Sequence, residues 1–136
     1  MRRVLIRISL YLSVIESRRN PENQVDEVSA KLAFLILSDD VTRARPGLVM
    51  ATRLKVNRAA DVRVLFFGPG VKLASSGVVD EQIQGLVEAG VLPKACKANV
   101  EQFGIENEMM SRPIELLAAG AEVEEFHRQG YTVLSF

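Results

Sequence analysis

The sequence predicts an α/β domain, a mostly parallel five-stranded sheet with helices on both faces. Residues 32–37 (LAFLIL) are a continuous apolar run, the mark of a strand buried on both sides, and residues 62–67 form a second of that type. Strand-like and helix-like stretches alternate from Lys31 to Phe136, which implies right-handed crossovers between parallel strands. Three times, at Gly90-Val91, Gly104-Ile105 and Gly130-Tyr131, a helical stretch ends on glycine and an apolar residue follows at once.

Taken in order, residues 1–30 stand apart from the domain at 31–136. Val4, Ile6, Ile8, Leu10, Leu12 and Val14 alternate with Arg3, Arg7, Ser9 and Ser13, a strand period; Val4, Ile8, Tyr11, Leu12 and Ile15 also share one helical face. Arg7 interrupts the run and no small-residue cleavage site follows, which argues against a signal peptide, and the run is too short to span a membrane. Residues 17–27 (SRRNPENQVDE) have the composition of a linker, so the whole segment reads as an extension.

After the first strand comes the polar loop Ser38-Asp39-Asp40, then a helix expected to begin near Pro46, since proline suits a first turn. Asp61 is expected to break that helix before strand 62–67, and Gly68-Pro69-Gly70 to turn the chain. Asp80 is the expected N-cap of a helix carrying Ile83, Leu86 and Val87 inward, with Gly90 as its stop. Residues 91–95 form the third strand, which should be short or lie at an edge because Pro93 cannot donate to a ladder. Cys96 follows, then a helix over 97–103 closed by Gly104, a helical turn within 105–112, and a fourth strand at 114–117. A helix over 121–129 turns Val123 and Phe126 inward, and residues 131–136 are the fifth strand.

Composition narrows the function classes. Of 136 residues 48% are hydrophobic, which excludes wholesale disorder, and one domain is the expectation at this length. Seventeen basic and seventeen acidic side chains cancel, so no basic excess points to nucleic acid. A single cysteine excludes an internal disulfide, a Cys-x-x-Cys pair and a cysteine-rich zinc site; with one histidine beside it, no metal and no cofactor are expected. The location that fits is the cytoplasm.

In parallel sheets ligands bind outside the carboxyl ends of the strands. The loops on that rim are Ser38-Asp39-Asp40, Gly68-Pro69-Gly70, Cys96 and Ala118-Ala119-Gly120. Cys96 is the candidate nucleophile, because a thiol where a strand passes into a helix meets the positive end of the helix dipole. Lys94 and Lys97 flank it as candidate thiolate-stabilising charges, and Asn99 as a hydrogen-bond donor near the thiol. Gly68 and Gly70 are candidates to offer backbone N–H groups to an anion such as a sulfur oxyanion, although the phosphate-loop pattern is absent. Asp39 and Asp40 are read first as helix caps. His127 is read as a surface residue, and Met109 and Met110 as packing or interface residues.

The chain resembles the DsrE/DsrF-like family, which includes the TusD-type sulfur-relay subunits. The resemblance rests on Val64-Leu65-Phe66-Phe67-Gly68-Pro69-Gly70-Val71, Gly90-Val91, Ala95-Cys96-Lys97-Ala98-Asn99, Gly104-Ile105 and the closing Gly130-Tyr131, and it spans Lys31 to Phe136. It implies a three-layer flavodoxin-like sandwich that assembles into homotrimers or homohexamers. It also implies that Cys96 receives sulfane sulfur as a persulfide from a donor protein and passes it to an acceptor. Residues 1–30 and Pro93 depart from the family pattern.

Two functional readings follow. One is a sulfur carrier, or sulfurtransferase-like protein, acting through Cys96; the absence of a second cysteine suits a carrier that must not resolve its own persulfide. The other is a non-catalytic homo-oligomeric binding or scaffold module of the same fold, with Cys96 packed as a small apolar residue. A flavin-binding flavodoxin is disfavoured, since the first rim loop lacks a Ser/Thr/Gly-rich phosphate cradle.

Overall fold

A computed structural model describes residues 29–136, so the expectations for residues 1–28 lie outside the described residues. The elements run β1 (Lys31–Ile36), α1 (Val41–Arg58), β2 (Asp61–Phe66), α2 (Gly70–Ser76), α3 (Asp80–Glu88) and β3 (Lys94–Cys96). They continue α4 (Lys97–Phe103), α5 (Glu106–Met110), β4 (Glu115–Leu117), α6 (Ala119–Arg128) and β5 (Thr132–Ser135). All five strands are parallel, in the order β4-β3-β2-β1-β5. This is the flavodoxin-like α/β sandwich anticipated above.

The strand order explains the layering. From β1 to β4 each connection steps one place in the same direction, whereas β4 to β5 returns across the whole sheet. Right-handed crossovers therefore place α1–α5 on one face and α6 on the other. Register agrees. Phe34, Val64 and Leu134 share a face with Phe136, whose ring lies against Gly47 of α1 and stacks on Phe34 at 5.7 Å. On the opposite face Lys94, in register with Leu65 and Glu115, pairs with Glu122 of α6.

The core lies mainly between the sheet and α1–α5. Phe34, Ile36, Phe66, Leu48, Val71, Leu86 and Val100 are fully buried there, each contributing about 1.5–3 kcal/mol by leaving water. Gly47 allows α1 to approach the end of the sheet, because a Cβ there would lie 2.6 Å from the Phe136 ring.

Several boundaries differ from expectation. The first helix begins at Val41, and Pro46 sits inside it. Asp40 sets that start: its Oδ1 accepts the Thr42 N–H at 2.9 Å and the Thr42 hydroxyl at 2.6 Å. The same helix ends at Arg58 with Ala59 in the left-handed region, and Asp61 opens β2 rather than breaking a helix. Asp80 is the first residue of α3, with Val79 in the N-cap position, and its carboxylate instead meets Arg112 at 2.7 and 3.1 Å. Pro93 precedes β3, which is short, as expected, and interior in the sheet, and the Pro93 carbonyl accepts the Glu115 N–H. Helix α2 begins within Gly68-Pro69-Gly70, at Gly70 with Pro69 in the N-cap position, where only a turn is expected from the residue types.

Candidate functional site

The strand order creates one place where neighbouring strands send their chains to opposite faces. β3 leads into α4 on the crowded face, and its neighbour β4 leads into α6 on the other. The two outgoing chains diverge at the carboxyl ends of β3 and β4, the kind of place where open α/β sheets bind ligands. Cys96 is the last residue of β3, paired in register with Leu117 at the end of β4. The thiol therefore stands at the switch point of the sheet.

Local sequence accounts for its placement. Cys96 has extended backbone (φ −69°, ψ 113°) and is the N-cap residue of α4, with no side-chain capping bond. Gly104 closes that helix in the left-handed region, at φ 65°. Cys96 is 5% exposed. By strand alternation its side chain shares the α6 face with Lys94.

An apolar cleft of about 260 Å³ opens on the same face and the same rim, lined by Leu35, Phe67, Ala119, Gly120 and Val123. Phe67 is one step beyond the Phe66–Ala95 register pair, which puts it in the row of Cys96. It is 37% exposed, unusual for a phenylalanine at the end of a buried strand. Alternating exposure along the strands cannot reveal this cleft, because its two walls come from residues more than fifty positions apart. Its one sequence signal is the run of small residues Ala118-Ala119-Gly120 on the rim.

The remaining sequence candidates divide. Asn99 comes to the rim: its Oδ1 accepts the Gly68 N–H at 2.7 Å, and its Nδ2 donates to Gln102. Thus α4 is tied to the loop after β2, and Asn99 acts on that loop as an acceptor. Gly68 and Gly70 are brought to the same edge, but their N–H groups go to Asn99 and to the Phe67 carbonyl. The Val71 and Lys72 N–H groups bond to the carbonyls of Gly68 and Pro69, so this turn satisfies itself rather than facing outward with free donors. Gly70 is also where α2 touches β1, since a Cβ on it would lie 2.0 Å from the Ile36 carbonyl oxygen.

Lys94 is two residues before the thiol, its Nζ held 3.0 Å from Glu122 Oε2 in a half-buried pair joining β3 to α6. Lys97 is exposed on the first turn of α4. Asp39 is exposed in the loop beyond β1, a strand separated from β3 by β2; the capping role falls to Asp40. His127 is exposed, Met109 is buried in the core, and Met110 is 77% exposed. Among the described residues no cluster of His, Cys, Asp and Glu is arranged to hold a metal, and no helix is long and apolar enough to cross a membrane.

No protein-family model and no curated protein matches the chain. Solved structures do. The conserved protein of unknown function BT1422 from Bacteroides thetaiotaomicron aligns with a TM-score of 0.71 at 22% identity, over 78% of this chain and 94% of its own. The protein of unknown function MTH1491 from Methanobacterium thermoautotrophicum gives 0.67 at 15%, over 79% and 100%. The ychN protein from E. coli gives 0.57 at 16%, over 78% and 99%. At such identities the likeness is one of fold.

Proposed function

We propose that this protein is a sulfur-relay carrier that holds sulfane sulfur as a persulfide on Cys96. The observation that supports this reading is the place of the sole cysteine: the end of β3, at the switch point of the sheet, on the rim that also bears the Phe67 cleft. The Cys96 thiolate attacks the outer sulfur of a donor persulfide, R–S–SH. The donor S–S bond breaks, R–S⁻ leaves, and Cys96–S–SH forms with no net oxidation of the pair. An acceptor thiolate then attacks the outer sulfur and regenerates the Cys96 thiolate. The cleft would receive the apolar surroundings of the donor or acceptor sulfur. Self-association into trimers or hexamers, with separate donor and acceptor proteins, belongs to the same reading.

The 5% exposure of Cys96 favours a second reading, a homo-oligomeric binding module in which the thiol is only packed. Intact-mass spectrometry after treatment with a sulfane-sulfur donor separates the two. The carrier reading expects an adduct of about 32 Da, one sulfur atom, that disappears on adding thiol and is absent from Cys96→Ser. Absence of the adduct, together with slow alkylation of the folded wild type, selects the binding module.

A further inference from the structure

Helices α1 and α3 lie side by side on one face of the sheet and carry opposite charge. α1 holds Arg43, Arg45, Arg53, Lys55 and Arg58 and no acidic residue; α3 holds Asp80, Glu81 and Glu88 and no basic one. Arg43 pairs with Asp40, and Asp80 with Arg112. Among the described residues, Arg45, Arg53, Lys55 and Arg58 have no acidic partner, and Glu81 and Glu88 have no basic one. Arg53 and Glu81 nevertheless line one cleft, of about 200 Å³, between the two helices.

The helices run in the same direction. Arg45 Nη2 donates to the Val78 carbonyl at 3.0 Å, just ahead of α3. Val49, Thr52 and Arg53 stand level with Glu81, Gln82 and Gly85, and Lys55 lies beside Gly90. A twofold axis through the cleft, normal to the sheet, therefore lays α1 of one copy antiparallel across α3 of another. Arg53 then faces Glu81 of the second copy, and Arg45 faces its Glu88. Lys55, half-buried, and Arg58, at the helix end, are the cations left over. The same operation brings Val56, 64% exposed, toward Val78 of the other copy, 45% exposed. Gly85 leaves the cleft floor open: a Cβ there meets nothing within 4 Å, so no contact inside the molecule requires a glycine that costs its helix about 1 kcal/mol.

We propose that α1 and α3 form an isologous twofold interface with a second copy of this chain. The order of charges selects that occupant. A nucleic acid or an anionic membrane would bring phosphates against Glu81 and Glu88, whereas a second copy presents both signs in reversed order. The interface lies on the face of the sheet opposite to the Cys96 side chain and does not rest on its sulfur chemistry. It makes the self-association a dimer or a pair of trimers, and not a lone trimer.

The test is the mass of the full-length chain in solution, by sedimentation. Wild type should be an even multiple of the monomer and should dissociate as salt rises from about 0.05 to about 0.5 M. Arg53→Glu and Glu81→Arg should each weaken association at least tenfold, roughly, because each sets like charges face to face. Mixing the two variants should restore the assembly, since both contacts of the mixed dimer then join opposite signs; a pair within one molecule gives no such rescue. Both positions are exposed, so the variants should keep the wild-type circular dichroism, and the salt dependence of wild type tests the same pairs without a mutation. A monomeric or trimeric wild type, single variants of unchanged mass, or no recovery on mixing would each overturn the proposal. Failure of the Cys96 adduct with this behaviour intact would remove the carrier reading and leave the interface standing.

Discussion

At the rim, the informative residue beside the thiol is Asn99. An asparagine in the first turn of a helix is unremarkable by type, yet its Oδ1 closes a hydrogen bond to Gly68 across 31 positions of sequence. Removing it leaves the Gly68 N–H without that partner in a half-buried setting, at a cost of about 1–3 kcal/mol. Asn99→Ala should therefore lower the urea midpoint. It should also speed alkylation of Cys96, because the tether between α4 and the loop after β2 is gone. An unchanged alkylation rate would show that the tether does not govern access to the thiol. The lysines chosen from sequence sit differently. Lys94 is engaged by Glu122 and Lys97 is exposed, a distinction that adjacency to Cys96 in the chain does not convey.

Among the elements, α1 shows how a local signal outranks a positional habit of proline. Asp40 accepts from the hydroxyl and, secondarily, the backbone N–H of Thr42, and these bonds, with Arg43 nearby, hold its carboxyl below the usual aspartate range. A carboxylate with a depressed folded pKa contributes stability above its unfolded pKa and loses it as pH falls through the folded value. The helix start should therefore weaken at pH below about 4. Asp40→Asn, which retains an acceptor but cannot be protonated there, should flatten this part of the acid dependence of Tm. If the acid limb of the variant matched wild type, the cap would not be the titrating element. The helices that end on glycine were legible because a left-handed residue leaves a mark in the composition: Gly90, Gly104 and Gly130 all have positive φ.

For the whole molecule, the approach of α2 to β1 sets the geometry of the rim. Gly70 begins α2 against the Ile36 carbonyl, and that oxygen is rigid backbone. Gly70→Ala should destabilise by about 3 kcal/mol, the upper range for overpacking, in equilibrium unfolding. Gly85→Ala in α3 is the contrast: a Cβ there meets nothing within 4 Å, and better helix propensity should leave stability equal or higher by up to about 1 kcal/mol. Equal losses from the two substitutions would show that close approach at Gly70 is not the cause.

The sequence by itself determined the α/β class, the parallel sheet, the five strands and most helix ends. Those features depend on periodicity, capping and backbone preference, which act over a few residues and are written in neighbouring positions. It also singled out Cys96 at a strand-to-helix junction, a local fact of the same kind. The tertiary structure alone decided that β4 lies beside β3 while β5 lies beyond β1, and that order puts Cys96 at the switch point. It alone joined Leu35, Phe67 and Val123 into one cleft, tied Asn99 to Gly68, and turned Lys94 toward Glu122. Each of these contacts joins residues far apart in the chain, and their partners are selected by the packing of whole layers, which no local pattern records.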